Sequence, residues 1–363
     1  MKRDLPKIYE PQKVEDGIYK RWEESGCFNP DNLEGDPYSI MMPPPNVTGV
    51  LHLGHALENS LMDLMARFQR MQGKKVLLLP GTDHAAVATQ AKVEKILIKK
   101  GIEHPREELG REKLLEEIRK FAENSKSTIL KQIRKMGTSC DWSRLAYTFD
   151  EKRSRAVNEV FVRMFNDGLI YRGYRVVNWS VKGQSTCSDD ELEYKERTTK
   201  LYTFRYAKDF PIPIATTRPE TKLGDTAVAV NPNDKRYKKF IGQTFTAEVG
   251  AAKPLEIKII ADENVDINFG TGAVGVTPAH SAIDFEMYEK QKSLGNPIKL
   301  IPVIDEQGKM NQNAGKYAGL PAEVAREKFV AWLKENDLLE KEEEITHSVG
   351  MSDRFGDVVE ALP

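Results

Sequence analysis

Two histidines three residues apart stand where an apolar strand gives way to a helix, in Pro43-Pro44-Pro45-Asn46-Val47-Thr48-Gly49-Val50-Leu51-His52-Leu53-Gly54-His55. Ligands of open α/β sheets sit at the carboxyl ends of strands. The N–H groups and dipole of a helix N-terminus attract phosphate. His52 and His55 fall on one side of the first turn, where both can donate to phosphate oxygens, and Gly54 lets a flat group reach the backbone. The same spacing is that of a partial metal site, for which Glu58 is the third-ligand candidate on that face. The residues by themselves leave both chemistries open.

A second group is Thr216-Thr217-Arg218-Pro219-Glu220-Thr221, dense in hydroxyls with one charge of each sign. Alone it reads equally as a capped turn. About 60 residues later come Phe269-Gly270-Thr271-Gly272-Ala273-Val274 and Thr277-Pro278-Ala279-His280-Ser281-Ala282-Ile283-Asp284-Phe285-Glu286. Gly224–Pro232 and Gly270–Pro278 share the pattern G-x-x-A-V-x-V-x-P, which suggests two similar strands flanking one pocket.

The elements that must position these groups are legible. Tyr38–Met42 and Val76–Leu79 are continuous apolar runs stopped by Pro43 and Pro80, as buried strands would be. Between them Leu57, Leu61, Leu64, Met65, Phe68 and Met71 recur at helical spacing. A helix from about Ala85 to Lys100 follows, then a charged helical stretch over 106–136 with Leu115, Ile118, Phe121, Ile129 and Ile133 as its stripe. Another helix starts at Asp150, with Val157, Val160, Phe161, Met164 and Phe165 inward. Strand, helix, strand, helix predicts a parallel sheet covered by helices. After about residue 196 the texture turns to short β-rich runs, indicating a compact β domain or barrel.

At 363 residues the chain is long enough for two or three domains. Lysine plus arginine number 54 against 55 acidic residues, so no whole-chain basic footprint for nucleic acid exists. No apolar run is long enough to cross a bilayer, and no secretory leader is expected behind Lys2 and Arg3. Cys27, Cys140 and Cys187 lie far apart without a C-x-x-C, so neither a disulfide framework nor a structural zinc site is expected, and the reading is cytoplasmic.

His52-Leu53-Gly54-His55 resembles the "HIGH" signature of class I aminoacyl-tRNA synthetases. The flanking Pro-Pro-Pro-Asn-Val-Thr-Gly is similar to the valyl branch, as are Pro80–Gln90, Met136-Gly137-Thr138-Ser139-Cys140-Asp141-Trp142-Ser143-Arg144 and Gly168–Gly173. The resemblance covers nearly the whole chain. It implies the first half of a Rossmann-type parallel-sheet catalytic domain over 1–195, an inserted β-rich, barrel-like editing domain over 196–346, and a return toward the catalytic domain over 347–363.

The implied activity is ATP-dependent activation of valine and its transfer to tRNA(Val), with Mg²⁺ on the phosphates and hydrolysis of mischarged threonyl-tRNA(Val). His52, Gly54 and His55 would serve ATP, with the two histidines acting on the developing charge. Pro45, Asn46 and Asp83 would serve the amino acid, Asp83 pairing with its ammonium. Thr216, Thr217, Arg218, Glu220, Thr221, Phe269, Asp284 and Glu286 would form the editing site. Asp284 would bind the substrate ammonium, and His280 is expected to be structural.

Two positions depart from the family pattern. Ser281 stands where an aspartate usually follows the Ala-His pair, and Gly275 where valyl editing sites often have a lysine. Lys135–Ser139 only superficially resembles the second, lysine-rich signature. The chain therefore reads as part of an enzyme that is expected to be monomeric at full length, and as inactive alone in aminoacylation. The alternatives are an aminoacyl-tRNA deacylase and a non-catalytic tRNA-binding fragment.

Overall fold

The computed structural model describes residues 7–363, which fall into two compact units divided between Tyr171 and Arg172. In the first, α1 (Pro11–Ser25) begins with proline at its first turn and ends at Gly26 in the left-handed region. Strand β1 (Pro37–Met41) leads through the proline run into α2 (Leu53–Met71), and β2 (Lys75–Leu79) returns parallel to β1, pairing Pro37 with Lys75 through Met41 with Leu79. The pairing extends past the strand ends through an Asn46–Asp83 bridge. Beyond it, β3 (Gly81–Thr82) runs parallel to β4 (Ala146–Tyr147). Helix α3 spans Ala86–Lys99, α4 Pro105–Lys135 and α5 Glu151–Asn166.

Met42, Val47, Val76 and Leu78 form the core of this unit with Ile129 and Ile133 of α4. Helix α4 breaks at Gly110 (φ 67°, ψ 173°) and restarts. After the break its buried positions are Leu114, Ile118, Ala122, Ser125, Ile129 and Ile133, so Leu114 replaces the Leu115 expected from the pattern, and Phe121 is half-buried. The expectation for α5 fails more broadly. Val157, Val160, Phe161 and Phe165 are more than half exposed, and the helix has no buried residue. The apolar stripe of α2 is likewise exposed, from Leu57 to Met71. Periodicity identifies an apolar face but not what covers it.

α2 is instead anchored by its polar side. Asp63 accepts the N–H of Ser139 at 2.7 Å, and Arg67 and Arg70 donate to the carbonyls of Gly137 and Ser139 at 2.7 and 2.8 Å. Asp141 N–H donates to the Leu78 carbonyl, so the Met136–Arg144 segment is fixed beside β2.

The second unit contains β5 (Val177–Ser180), β6 (Ser185–Cys187) and a long ribbon. In the ribbon β7 (Leu192–Phe204) pairs antiparallel with β13 (Leu339–Ser352), so the expected domain boundaries near residues 196 and 347 both fall within paired strands. β8 (Ile214–Thr216) pairs with β7, and β14 (Val359–Leu362) pairs with β5. A four-stranded mixed sheet has the order β10 (Thr244–Ala247), β11 (Leu255–Ala261), β9 (Ala227–Val230), β12 (Ala273–Val276). The two segments sharing the G-x-x-A-V-x-V-x-P pattern are direct antiparallel neighbours, Val230 opposite Ala273 and Ala227 opposite Val276. Helix α7 (Ala322–Glu335) packs into a core that includes Phe204, Tyr206, Ile214, Ile257 and Phe329, whereas α6 (Ala282–Ser293) buries Met287 in a second cluster with Ala227, Ala229, Ile260 and Val276.

Candidate functional sites

At the start of α2 both histidine side chains accept from backbone N–H groups. His52 Nδ1 accepts the N–H of Gly54 at 3.1 Å, and His55 Nδ1 accepts the N–H of His52 at 3.3 Å. The two rings lie 4.0 Å apart between centroids. A neutral imidazole that accepts at Nδ1 carries its proton on Nε2, so both rings keep an outward donor. Gly54 is explained by the same geometry. A Cβ there would lie 2.9 Å from His52 Cε1, so the flat group that approaches its backbone is the His52 ring itself.

Both histidines line a cleft of about 740 Å³ with Pro45, Asn46, Thr48 and Gly49. Glu58, Lys92 and Phe121 also line it. Lys92 and Phe121 were hidden in the sequence, because each sits in a helix whose periodicity gives no hint of the cleft.

Asp83 lies beside the proline run. Its N–H donates to Pro45 O at 2.8 Å, and its carbonyl accepts Val47 N–H at 2.9 Å. The structure thus brings Pro45, Asn46 and Asp83 together at the carboxyl ends of β1 and β2. The Asp83 carboxylate accepts the N–H of Ala85 at 3.0 Å and the Thr148 hydroxyl at 2.8 Å, so it also secures the entry to α3. His84, next to it, stacks on Phe149 and meets the Tyr147 hydroxyl at 2.6 Å. Burial holds its pKa below the ordinary histidine value. Among the described residues no cluster of three or more His, Cys, Asp or Glu side chains could hold a metal ion.

In the second unit, Thr216 Oγ1 accepts Arg218 N–H, and Thr221 Oγ1 donates to the Arg218 carbonyl. Glu220 is wholly buried and receives Arg326 through two hydrogen bonds of 2.8 Å and Arg218 at 3.1 Å. Burial disfavours its charge, yet the hydrogen bonds from Arg326 and the two guanidinium charges hold its pKa below the ordinary value. Arg218 also donates to Glu360 at 2.7 Å. These contacts make Arg218 and Glu220 the frame of the Thr216–Thr221 turn. Thr217 is half-buried, whereas Phe269 and Glu286 are exposed.

Asp284 is buried in the first turn of α6, capped by Ser281, and its carboxylate accepts the N–H of Thr277 at 2.7 Å. His280 holds the neighbouring segments together. Its Nδ1 lies 3.0 Å from Ala361 O, and its Nε2 accepts the N–H groups of Val303 and Ile304 at 2.8 and 3.2 Å. Burial lowers its pKa to about 4.

The missed residue is Lys222. It lies in the 3-10 turn Pro219–Gly224, and its ammonium reaches the carbonyl of Gly275 at 2.6 Å and the Thr277 hydroxyl at 2.8 Å. A cation therefore stands beside Gly275, delivered from another segment. The turn and the Thr277–Asp284 segment are joined through it.

A parallel-sheet unit with paired histidines at a helix start, followed by a β-rich unit, defines a class. The family described as tRNA synthetases class I (I, L, M and V) matches residues 17–344, and the chain belongs to it.

Its relatives are narrower. The chain is 50% identical over 359 residues to the valine–tRNA ligase of Carboxydothermus hydrogenoformans, covering 98% of this chain and 40% of that protein. It is 45% identical over 363 residues to that of Clostridium acetobutylicum, with 99% and 40% covered. The chain thus spans about 40% of the length of the curated relatives it matches. Among solved structures, the LeuRS of Agrobacterium radiobacter K84 in ternary complex with tRNA and LeuAMS aligns with a TM-score of 0.45 at 17% identity, over 98% of this chain and 49% of that one.

Proposed function

We propose that this chain carries the valine-activating site and the hydrolytic editing site of a valine–tRNA ligase. The observation that carries the first half is the pair of Nδ1 contacts on His52 and His55, which leaves two Nε2–H donors at one cleft. The identity to valine–tRNA ligases along nearly the whole chain supports valine as the amino acid. Valine's carboxylate is already a nucleophile toward the α-phosphate of ATP, so the reaction needs no strong base. It needs positioning and donors for charge developing on phosphate, and the two imidazoles supply such donors. Mg²⁺ accompanies ATP as part of the substrate. Asn46, Pro45 and Asp83, adjacent at the strand ends, take the amino acid, with Asp83 facing its ammonium.

The second half follows from specificity. An apolar pocket rejects threonine in favour of valine only ~100-fold, a limit established for valyl enzymes themselves. A second site that hydrogen-bonds the threonine hydroxyl reverses the test. The Thr216–Thr221 turn and Asp284, linked through Lys222 and Thr277, are suited to an aminoacyl ester bearing an ammonium. A positioned water then attacks the ester. The three unpaired cysteines support a cytoplasmic setting.

The test is valine-dependent ATP–pyrophosphate exchange by this chain continued with the remaining sequence of the Carboxydothermus relative. Exchange with valine and not with isoleucine or leucine is the expected result. Exchange lost in neither His52→Ala nor His55→Ala would remove the assignment. A deacylase-only reading has one point in its favour, since the second unit has its own core. Under that reading, threonyl-tRNA hydrolysis survives while valine activation is absent from the completed chain.

A further inference from the structure

Lys222 has a side chain only 8% exposed, and its partner Asp225 is fully buried. The ammonium has three oxygens around it: Gly275 O at 2.6 Å, Thr277 Oγ1 at 2.8 Å and Asp225 Oδ1 at 3.3 Å. Asp225 also receives the hydroxyls of Tyr206 and Thr277. The Thr277 side chain is therefore held from both ends, accepting from Lys222 and donating to Asp225. No side chain can enter this space from β12, because a Cβ on Gly275 would lie 2.4 Å from Asp225 Oδ2 and 2.6 Å from the Tyr206 hydroxyl. Thr277 then passes the constraint on, since its backbone N–H holds the Asp284 carboxylate at 2.7 Å.

A buried ion pair is seldom the most stable way to fill such a volume, since well-packed apolar residues do as well or better. The pair is linked to Asp284 through a single residue, Thr277, which gives it another use. Resting on the editing reading above, we propose that Lys222 and Asp225 are a positioning pair that holds the Asp284 carboxylate, through Thr277, where it receives the α-ammonium of an aminoacyl ester. Neither Lys222 nor Asp225 touches the ester itself.

The experiment compares two esters on one tRNA(Val): threonyl-tRNA, and the α-hydroxy ester made from it by nitrous acid, which lacks the ammonium. The 363-residue chain and its Lys222→Met and Asp284→Ala variants are assayed for kcat and KM on both, with thermal melts. Lys222→Met should lower kcat/KM on threonyl-tRNA at least 10-fold, mainly through KM. It should change hydrolysis of the α-hydroxy ester less than twofold. The double variant Lys222→Met/Asp225→Asn leaves no unpaired buried charge and should show the same selectivity, which separates positioning from misfolding. Equal losses on both esters, or parental rates in folded variants, would overturn the proposal. If the parent hydrolyses neither ester, the editing reading falls and the proposal with it. If the parent hydrolyses threonyl-tRNA and only Asp284→Ala matters, the editing reading stands and the positioning pair does not.

Discussion

The backbone N–H of Thr277 donates to the Asp284 carboxylate over 2.7 Å, tying the end of β12 to the first turn of α6. Ser281 accepts the N–H of Asp284 at 3.2 Å in the same turn. Asp284 is thus fixed at both backbone and side chain, which suits a carboxylate that must meet a substrate group in one orientation.

The frame beneath that turn should be costly to break. Replacing Glu220 by Ala leaves Arg326 and Arg218 without the carboxylate that both now share. A buried pair broken on one side loses several kcal/mol, and the arginines' partial exposure places this case at about 3 kcal/mol. Urea unfolding of the second unit followed by circular dichroism measures it. A loss under 1 kcal/mol would mean that the network contributes little.

His280 gives a pH signature. Its pKa of about 4 lies below the ordinary 6.5, so the unfolded chain takes up a proton first as pH falls. Stability from this residue is present above pH 6.5 and is lost as pH falls toward 4, by roughly 3 kcal/mol. Asp225 acts oppositely. Burial raises its carboxyl to about 6, so its contribution is present at low pH and is lost as pH rises through 6. The test is the stability difference between parent and His280→Gln as a function of pH. The parent's advantage should shrink on acidification from 6.5 to 4, and a difference constant with pH would contradict the assignment.

Gly54→Ala should resemble His52→Ala. The added methyl would meet the imidazole at 2.9–3.0 Å and displace it. In the completed enzyme, loss of one donor to the transition state reduces valine activation by roughly 10²–10³, and Gly54→Ala should lose most of that with little change in melting temperature. ATP–pyrophosphate exchange with parental rates in Gly54→Ala would show that the ring position is unimportant.

The 363 residues assayed alone should show valine-dependent exchange at background. They span about 40% of their relatives' length, and the apolar faces of α2 and α5 stand exposed. Robust exchange by protein free of host synthetase would contradict this.

Much of this was legible in the sequence because it rests on local chemistry. Prolines stop β1, Asp150 caps α5, and His52 begins α2, each within a few residues of the element it controls. What escaped depends on distant partners. Lys222 reads as an ordinary turn lysine until β12 brings Gly275 and Thr277 to it. Arg326, the partner that holds Glu220, stands more than one hundred residues away in the sequence. The exposed apolar face of α5 has a related cause, since amphipathicity specifies a face and not its cover.

The most direct test of the account is amino-acid charging of tRNA(Val) by the completed enzyme, parent against Asp284→Ala, with valine and with threonine. A charged hydrogen bond lost at the editing transition state costs about 1.5–3 kcal/mol, or roughly 10–150-fold in hydrolysis. The account predicts that both proteins charge valine at the same rate and that only Asp284→Ala accumulates threonyl-tRNA. A folded Asp284→Ala protein that charges valine normally and accumulates no threonyl-tRNA would contradict it.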